Sequence, residues 1–382
     1  MKAIINGKII TEEKILENKI LVFDERILEF KEQENLEHLL ETFEEIIDAK
    51  GNYVSPGFID MHIHGSGGHD VMDGTQESLS AISSVITRNG VTGFLPTTMT
   101  MSTEKIYNAL DNIRYCMRKE IQGAKILGAH MEGPFINKKY KGAQSEDFII
   151  EPSFSFIEKY IDIIKIITLA PEVDENNNFI KETKKKTDII LSIGHSNAEY
   201  SEAMEAIANG ISHATHTFNA MTPLNHRKPG IVGAVFNSEI YCELIADKIH
   251  VHPALFKTLE KIKGRNKIIL VTDSMRAGCL REGISELGGQ KVFVKDGSAR
   301  LEDGTLAGSI LNLNKGIKNF MDNTGMEVCE VVKLASLNPS KELGIEGETG
   351  SLELGKYADI VILDENFDVL QTIVEGKTVF KI

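Results

Sequence analysis

The sequence has no tryptophan, little cysteine and no long apolar run. Its 382 residues include four cysteines, and no two of them form a CxxC pair. This pattern argues against a disulfide framework or a thiolate zinc site and is typical of a reduced protein. No apolar stretch approaches the roughly 18–20 residues that a membrane-spanning helix requires, and the first residues lack the apolar segment of a signal peptide. We therefore predict a cytoplasmic protein with no membrane partner.

Basic residues are also in the minority. The 42 Lys and Arg against 56 Asp and Glu give a net charge of −14. This excess of acidic groups argues against nucleic acid and anionic membranes as main partners. It is compatible with an anionic small molecule, because one pocket can be locally basic in an acidic protein. With 42% hydrophobic and 26% charged residues, the composition is that of an ordinary globular protein.

Both ends of the chain carry short apolar segments separated by turn residues, as strands do. Neither end has enough apolar residues for a core of its own, and isolated hairpins are only marginally stable. We therefore predict one small β-sandwich domain that combines residues 1–53 with residues 346–382. The strand-like segments are 2–10, 19–30, 357–363 and 369–382.

Between these ends, apolar strand signals recur eight times and alternate with segments of helical periodicity. Alternating strands and helices are typical of a parallel sheet, and eight such units predict a closed (β/α)8 barrel, an α/β fold of the TIM type, over residues 54–345. An open, doubly wound sheet is the structural alternative. The predicted strands span 54–64, 92–98, 126–132, 163–172, 189–195, 213–221, 242–250 and 267–273.

Histidines and carboxylates collect at the C-terminal ends of these strands, which share one mouth of a barrel. His62 and His64 are two residues apart, so both side chains point to the same side of a strand and can bind one ion. A single histidine at such a position is more often a hydrogen-bonded core residue. The whole group instead indicates a hydrolytic metal site with one position open to water. It comprises His62, His64, Glu132, His195, His216, His250 and Asp273.

The segments around these residues resemble the amidohydrolase superfamily, nearly from end to end of the chain. Residues 56–65, PGFIDMHIHG, are similar to the first-strand signature of that superfamily. Residues 130–135, HMEGPF, and 215–221, THTFNAM, together more specifically resemble its sugar-phosphate deacetylases. Further matches are GHS at 194–196, PGIVG at 229–233, IHVHP at 249–253, VTD at 271–273 and DGTLAGS at 303–309.

The resemblance implies a hydrolase that removes acetate from the 2-acetamido group of N-acetyl-D-glucosamine 6-phosphate, in amino-sugar catabolism. By motif, Glu132, His195 and His216 would hold one divalent metal ion. His62 and His64 would hold a second ion bridged by Glu132, although some relatives lack this histidine pair and use one ion. The spacing does not distinguish zinc, iron and manganese, since all three accept histidine and carboxylate ligands.

Amide hydrolysis needs a nucleophile, a group that stabilises the oxyanion and a proton for the leaving nitrogen. Asp273, at the end of the eighth strand, is predicted to accept a proton from the attacking water and to donate it to the departing amine. A purely metal-ligating role is the alternative for Asp273, and the two roles are compatible.

Substrate binding is predicted at loop residues near these motifs. Arg227 and His250 are expected to bind the 6-phosphate, since a guanidinium fork and an imidazole suit a dianion. On sequence alone Arg227 could equally be a solvated loop cation, and its loop is long enough to reach the site of a partner in a homodimer. Leu306, Ala307 and Gly308 are candidates for the acetyl-methyl pocket. Contacts to the sugar are expected from Ala143, Asn219 and Ala220.

Two positions depart from the common family pattern. Gln144 stands where some members have a histidine that polarises the substrate carbonyl, so a second ion would do more of that polarisation here. Lys248 replaces a common glycine, and we interpret it as facing solvent.

Two other functions stay open at this stage. The first is another hydrolase of the superfamily that acts on a cyclic amide or on a different N-acyl sugar phosphate; enzymes of the cyclic-amide kind usually need a bridging lysine. The second is a non-catalytic barrel that serves as an assembly or regulatory module. Such a module should have lost metal ligands, whereas none of the expected positions is missing here.

Overall fold

Eight parallel strands follow one another around a barrel in chain order. The computed structural model describes residues 1–32, 43–119 and 121–382. Parallel bridging between Ile63 and Ser274 joins the first and last strands, so the sheet closes and the predicted (β/α)8 barrel is confirmed. The barrel strands are Phe58–Ile63, Val91–Thr98, Ala129–Glu132 with the short Lys125–Ile126 before it, Ile164–Leu169, Ile190–Ile193, Ile211–Ala214, Tyr241–Ile245 and Ile268–Val271.

Helices follow the barrel strands and cover the outside of the sheet. In Thr103–Arg118, Ser102 caps the first turn by accepting the Lys105 N–H. The buried residues of this helix recur every three or four positions, which places them on one face against the sheet. The helices are Gln76–Ile86, Thr103–Arg118, Phe154–Ile157, Asn178–Lys186, Tyr200–Asn209, Gly230–Phe236, Ala254–Lys263, Leu313–Thr324, Val328–Lys333 and Leu337–Glu342. Shorter 3-10 turns are Val71–Asp73, Thr87–Asn89, Lys138–Tyr140, Glu146–Phe148, Glu158–Tyr160, Pro171–Val173 and Glu175–Asn177.

Strands from both chain ends form two further sheets that share one apolar core, including Ile4, Ile9 and Ile360. The expected β-sandwich of both ends is therefore present, while its limits at 53 and 346 stay a prediction. Among the described residues, no helix is long and apolar enough to cross a membrane. One sheet contains Lys2–Ile5, Lys19–Phe23, Ile27–Glu32 and Glu45–Asp48, and the other contains Lys8–Ile10, Ile15–Leu16, Tyr53–Pro56, Ile360–Leu363, Val369–Val374 and Lys377–Lys381.

The first predicted barrel strand, 54–64, is divided in two by Gly57. Tyr53–Pro56 pairs with strands of the terminal sheet, and only Phe58–Ile63 belongs to the barrel. A side chain at position 57 would collide with Thr92, so glycine allows the chain to cross between the two sheets. One continuous apolar run thus serves two sheets.

The sixth predicted strand, 213–221, is also shorter than expected. Ile211–Ala214 is extended, and the chain then turns, with positive φ at His216, Phe218 and Ala220. His216 therefore lies in the loop after the strand, on the side where the site is expected, and not within the strand.

A three-stranded antiparallel insert follows the eighth barrel strand and was not predicted. Its first hairpin turns at Gly288 and Gly289, which both have the positive φ that a two-residue turn of this kind requires. The turn directs Leu287 towards the mouth of the barrel, where it is buried. The insert strands are Gly283–Leu287, Gln290–Lys295 and Ser298–Arg300.

Candidate metal centre and active site

A cavity of about 330 Å³ opens where the barrel strands end. This volume lies in the usual range for small-molecule sites. All but three of the residues predicted for the site line the cavity, and the exceptions are His62, Ala307 and Arg227. The predicted residues in the lining are His64, Glu132, Ala143, His195, His216, Asn219, Ala220, His250, Asp273, Leu306 and Gly308.

Glu132, His195 and His216 converge on one point at the base of this cavity. Glu132 Oε1 lies 3.2 Å from His195 Nε2 and 3.1 Å from His216 Nε2, and the two imidazole nitrogens are 3.2 Å apart. Metal–ligand bonds of about 2.0–2.2 Å bring the ligands of one ion to separations of this size. These three residues can therefore hold one divalent cation.

The hydrogen bonds of His195 show which of its nitrogens is free to bind a metal. Its Nδ1 lies 2.8 Å from the carbonyl oxygen of Tyr140, which can only accept a hydrogen bond. The proton of a neutral His195 ring is therefore on Nδ1, and the Nε2 lone pair faces Glu132 and His216. This arrangement is the one that metal-binding histidines commonly show.

A second cluster adjoins the first and is built from His62, His64, Glu132 and Asp273. His62 Nε2 and His64 Nε2 are 3.3 Å apart, and Asp273 Oδ1 lies 3.5 and 3.3 Å from them, respectively. His64 Nε2 is also 3.3 Å from Glu132 Oε2. His62 lies fully buried beneath the cavity, which explains why it is absent from the lining.

Both histidines of the second cluster also have Nδ1 opposite an acceptor. His64 Nδ1 faces the Thr97 carbonyl oxygen at 3.2 Å, and His62 Nδ1 faces a Glu243 carboxylate oxygen at 2.9 Å. Their Nε2 lone pairs therefore point at each other and at carboxylate oxygens. Atoms that can only accept hydrogen bonds do not pack together in this way unless a cation or protons lie between them.

The pKa values of His64 and Glu132 reflect how closely the carboxylates and imidazoles are packed. Burial opposes protonation of His64, but hydrogen bonds to Asp273 and Glu132 outweigh it and raise its pKa to about 9. Burial acts to raise the pKa of Glu132, but the charges of His195 and His62 bring it well below its ordinary value. The cluster thus attracts either protons or a divalent ion, and its donor set fits zinc, iron or manganese.

His130, although close to His62 and Glu243, is not a further ligand. Its Nδ1 faces the Met61 carbonyl oxygen at 3.0 Å, and its Nε2 is 2.7 Å from Thr168 Oγ1, so both nitrogens are occupied. Burial and the neighbouring His62 lower its pKa to about 3, so the ring is neutral. It supports the barrel interior.

Several site residues adopt strained backbone conformations. His195, His216 and Asp273 have φ values of 52°, 29° and 49°, in the left-handed region that residues other than glycine seldom occupy. Such conformations persist only where surrounding contacts impose them, and they concentrate at functional sites. Here the Asp273 N–H donates to the His62 carbonyl oxygen at 2.8 Å, which ties the last barrel strand to the first.

Gln144, the position that departs from the family pattern, contacts the first cluster directly. Its Nε2 donates to Glu132 Oε2 at 2.7 Å, and its Oε1 accepts the Thr100 N–H at 2.8 Å. Gln144 therefore fixes the orientation of the carboxylate shared by the two clusters. Lys248 is exposed, as the sequence interpretation expects.

The substrate candidates are only partly brought together. His250 lines the cavity, with Nδ1 2.6 Å from Asp247 Oδ2, so its other ring nitrogen is available to a ligand. Ala307 does not line the cavity, because its side chain is fully buried and its N–H bonds to Ala299 of the insert.

Arg227 lies outside the cavity of its own chain. It is exposed, contacts the neighbouring His226 ring, and lines a separate cavity of about 790 Å³. The two cavities adjoin, since Lys139 and Tyr140 line both. Within the single subunit Arg227 and His250 line different cavities, so their binding to one phosphate stays a prediction.

Sequence reasoning missed several residues of the site. Glu243 is an isolated acidic residue in the apolar strand Tyr241–Ile245, and a charged residue at such a position was the available signal. Leu287 lines the cavity, and Gln290 donates to the Ala143 carbonyl oxygen; both come from the unpredicted insert.

Comparisons with known proteins agree with this geometry. The model of the Amidohydrolase family matches residues 53–379. The chain belongs to the amidohydrolase family. The N-acetylglucosamine-6-phosphate deacetylase of Bacillus subtilis (strain 168) is 41% identical over 333 residues, which cover 85% of this chain and 84% of the relative. The N-acetylgalactosamine-6-phosphate deacetylase of Escherichia coli O157:H7 is 33% identical, with 87% and 89% covered.

Among solved structures, the crystal structure of N-acetylglucosamine-6-phosphate deacetylase from Pasteurella multocida superposes with a TM-score of 0.93. The two chains are 33% identical, and the match covers 99% of each. The family resemblance expected from the motifs is thereby confirmed, and so is the barrel with its terminal β-sandwich.

Proposed function

We propose that this protein is a metal-dependent hydrolase that converts N-acetyl-D-glucosamine 6-phosphate to D-glucosamine 6-phosphate and acetate. The observation that carries the proposal is the convergence of histidine lone pairs and carboxylates beneath a cavity of small-molecule size. The similarity to deacetylases over most of the chain supports the choice of substrate class. We place the reaction in amino-sugar catabolism in the cytoplasm, in keeping with the free cysteines.

The residues are assigned to two ion positions. Glu132, His195 and His216 would hold one divalent ion, and His62 and His64 with Glu132 would hold a second. When bound, such an ion polarises the substrate carbonyl and makes a water molecule acidic enough to be a nucleophile near neutral pH. Gln144 holds the shared carboxylate through the hydrogen bond to its Oε2.

Asp273 is assigned the proton transfers. Burial acts to raise its pKa, but His62 and His64 lower it below the ordinary value, so the carboxylate is ionised and can accept a proton. It lines the cavity beside both clusters and can therefore reach the attacking water and the leaving nitrogen. Asp273 would take the proton from the water on its carboxylate and return it to the amine.

Sugar binding is assigned to the walls of the cavity. Asn219 and Ala220 lie in the turn that follows His216, with Ala143 also in the lining, and Leu306 and Gly308 offer a small apolar surface for the acetyl methyl group. His250 would contact the 6-phosphate. Because Arg227 lies outside the lining of its own cavity, we assign it to the phosphate of a partner subunit in a homodimer.

The proposed function is tested by measuring acetate release from N-acetylglucosamine 6-phosphate, its galactosamine epimer, unphosphorylated N-acetylglucosamine and a dihydropyrimidine. We expect the highest kcat/KM for the glucosamine phosphate. Equal turnover of the epimer would broaden the substrate to N-acetylhexosamine 6-phosphates. Turnover of the cyclic amide alone, or of none of these compounds by metal-loaded protein, would refute the proposal.

A further inference from the structure

Glu243 is a fully buried carboxylate in the seventh barrel strand, and no role was expected for it. It lies beneath both ion positions and outside the cavity lining, so it does not contact the substrate site directly. A buried carboxylate is unfavourable unless several donors surround it. Its contacts therefore indicate what it does for the site.

Three donors converge on the Glu243 carboxylate, one from the first barrel strand, one from the sixth and one from the loop that follows the sixth. Oε2 accepts from His62 Nδ1 at 2.9 Å and from the His216 backbone N–H at 3.0 Å. Oε1 lies 3.2 Å from His213 Nε2. The Glu243 carbonyl oxygen also accepts the Thr217 N–H at 2.9 Å, immediately after His216. One residue thus holds a side chain of the second ion position and the backbone of the first.

The contacts of Glu243 affect His62 and His216 in different ways. Accepting the Nδ1 proton of His62 leaves its Nε2 lone pair directed at the ion position and increases its basicity. Holding the N–H groups of His216 and Thr217 fixes a backbone whose φ of 29° would otherwise relax. The His216 ring needs this support, because its Nδ1 has no hydrogen-bond partner among the described residues.

We infer that Glu243 is a positioning residue that couples the two ion positions and sets how tightly the ions are held. The inference rests on the metal site of the proposed function but not on the identity of the sugar substrate. His213 completes the arrangement, since its Nδ1 lies 3.2 Å from Glu342 Oε1 at the end of the helix Leu337–Glu342. Glu342 contacts His213 but none of the assigned ligands, so it is a matched control.

The test measures the rate at which Zn²⁺-loaded protein releases the ion to a chelator. Glu243→Ala is expected to release Zn²⁺ about 10- to 100-fold faster than wild type, the usual effect of removing a carboxylate behind a metal-binding histidine. Glu342→Ala, an equal deletion at the far side of His213, should stay within about threefold of wild type. Glu243→Gln keeps one acceptor oxygen and should fall between wild type and Glu243→Ala. Excess Zn²⁺ should restore activity to the Glu243 variants.

A merely structural role predicts a different result. It would lower the unfolding temperature of the metal-free Glu243 and Glu342 variants alike and leave the release rates similar, and this outcome would overturn the inference. If Glu243→Ala does not fold, the Zn²⁺ release rates of Glu243→Gln and Glu342→Gln are compared instead. Wild type that holds Zn²⁺ but releases no acetate would refute the proposed reaction, while the release rates would still decide the role of Glu243.

Discussion

The position of the proton on each imidazole determines what the site can bind. His195, His62 and His64 each direct Nδ1 to an acceptor, so their Nε2 lone pairs are left for an ion. Carboxylate oxygens of Glu132 and Asp273 share the same space. With no ion bound, protons would have to screen these acceptors from one another, and the hydrogen bonds of His64 to Asp273 and Glu132 raise the pKa of His64 to about 9. Individual substitutions therefore have distinct expected effects.

His195→Asn is expected to lose both bound metal and deacetylase activity while the barrel stays folded. Asparagine suits this position because it tolerates the positive φ of His195, so the change removes the ligand without adding backbone strain. Metal content by elemental analysis and acetate release are the measurements. His252→Asn, at an exposed histidine beyond the seventh strand, should retain both. Full metal content with lost activity would place His195 in substrate binding instead.

Asp273→Asn is expected to retain most of its metal and to turn over at least about a hundredfold more slowly. Asparagine keeps the shape and the positive φ but cannot accept a proton, and a lost general acid or base usually has an effect of this size. Single-turnover acetate release by metal-loaded protein is the measurement. Near-normal turnover would remove Asp273 from proton transfer and leave it a ligand.

The sequence predicts which side chains belong to the candidate site better than it predicts the hydrogen bonds that orient them. The family resemblance named Glu132, His195 and His216 as a group because each stands in a short motif of neighbouring residues. The hydrogen bond between His62 and Glu243 joins residues 181 positions apart, and it exists only once the barrel has closed. The Tyr140 carbonyl oxygen that orients His195 could not be predicted either, since any residue type supplies a carbonyl.

Loops and insertions carry the parts of the site that differ most from expectation. The apolar runs predicted the barrel strands because buried parallel strands are apolar throughout. They did not show where one run passes from one sheet to another, as at Gly57. The insert at 283–300 was not predicted, because its strands are short and largely exposed. Its Gly288–Gly289 turn is nevertheless a hairpin signal.

The loop that carries Arg227 is expected to act across a dimer. Arg227→Ala should raise KM for the phosphorylated sugar roughly ten- to a hundredfold, since a charge-assisted hydrogen bond contributes about 1.5–3 kcal/mol. KM for the unphosphorylated sugar should change little. Equal effects on both sugars would instead indicate a role in the fold or the dimer.

Mixing Arg227→Ala with His195→Asn distinguishes the two subunit assignments. If Arg227 serves the partner, each mixed dimer contains one site with all its residues, and activity should rise above the sum of the separate variants. A mixture that gives only that sum, from subunits shown to exchange, would contradict action across the dimer.

His213 lies between Glu243 of the seventh strand and Glu342 of the helix Leu337–Glu342. These contacts should make the free energy of unfolding depend on pH. Burial opposes protonation of His213, but hydrogen bonds to Glu243 and Glu342 raise its pKa to about 9. Protonated His213 therefore stabilises the fold fully below its ordinary pKa of about 6.5, and the stabilisation is lost as pH rises through about 9.

The contribution is on the order of 3 kcal/mol, because the pKa of His213 rises from 6.5 to about 9. Between pH 7 and 9.5, the unfolding temperature of wild type should fall by several degrees more than that of Glu342→Gln, which lacks one of the two charges. Parallel pH profiles for the two proteins would show that His213 is not the group responsible.

The closed barrel explains how residues from most of the chain form one site. Asp60 and Thr272 are 212 positions apart, and their side chains are joined by a hydrogen bond of 2.6 Å at the junction of the first and eighth strands. The strand ends that carry the candidate ligands hold them in fixed directions, so the two proposed ion positions depend on closure of the whole ring. A net charge of −14 disfavours anion binding in general, so basic side chains such as Arg227 and Lys228, in the loop after the sixth strand, would have to attract the phosphate locally.

The proposed reaction requires that the clustered histidines and carboxylates bind divalent ions. The most direct measurement removes metal with a chelator, adds back Zn²⁺, Fe²⁺ or Mn²⁺ in steps, and records bound metal and acetate release from N-acetylglucosamine 6-phosphate together. We predict no release without metal and activity that rises with the ions bound per chain, with no recovery for His195→Asn. Release of acetate by metal-free protein at the reconstituted rate would show that the reaction does not depend on these ions.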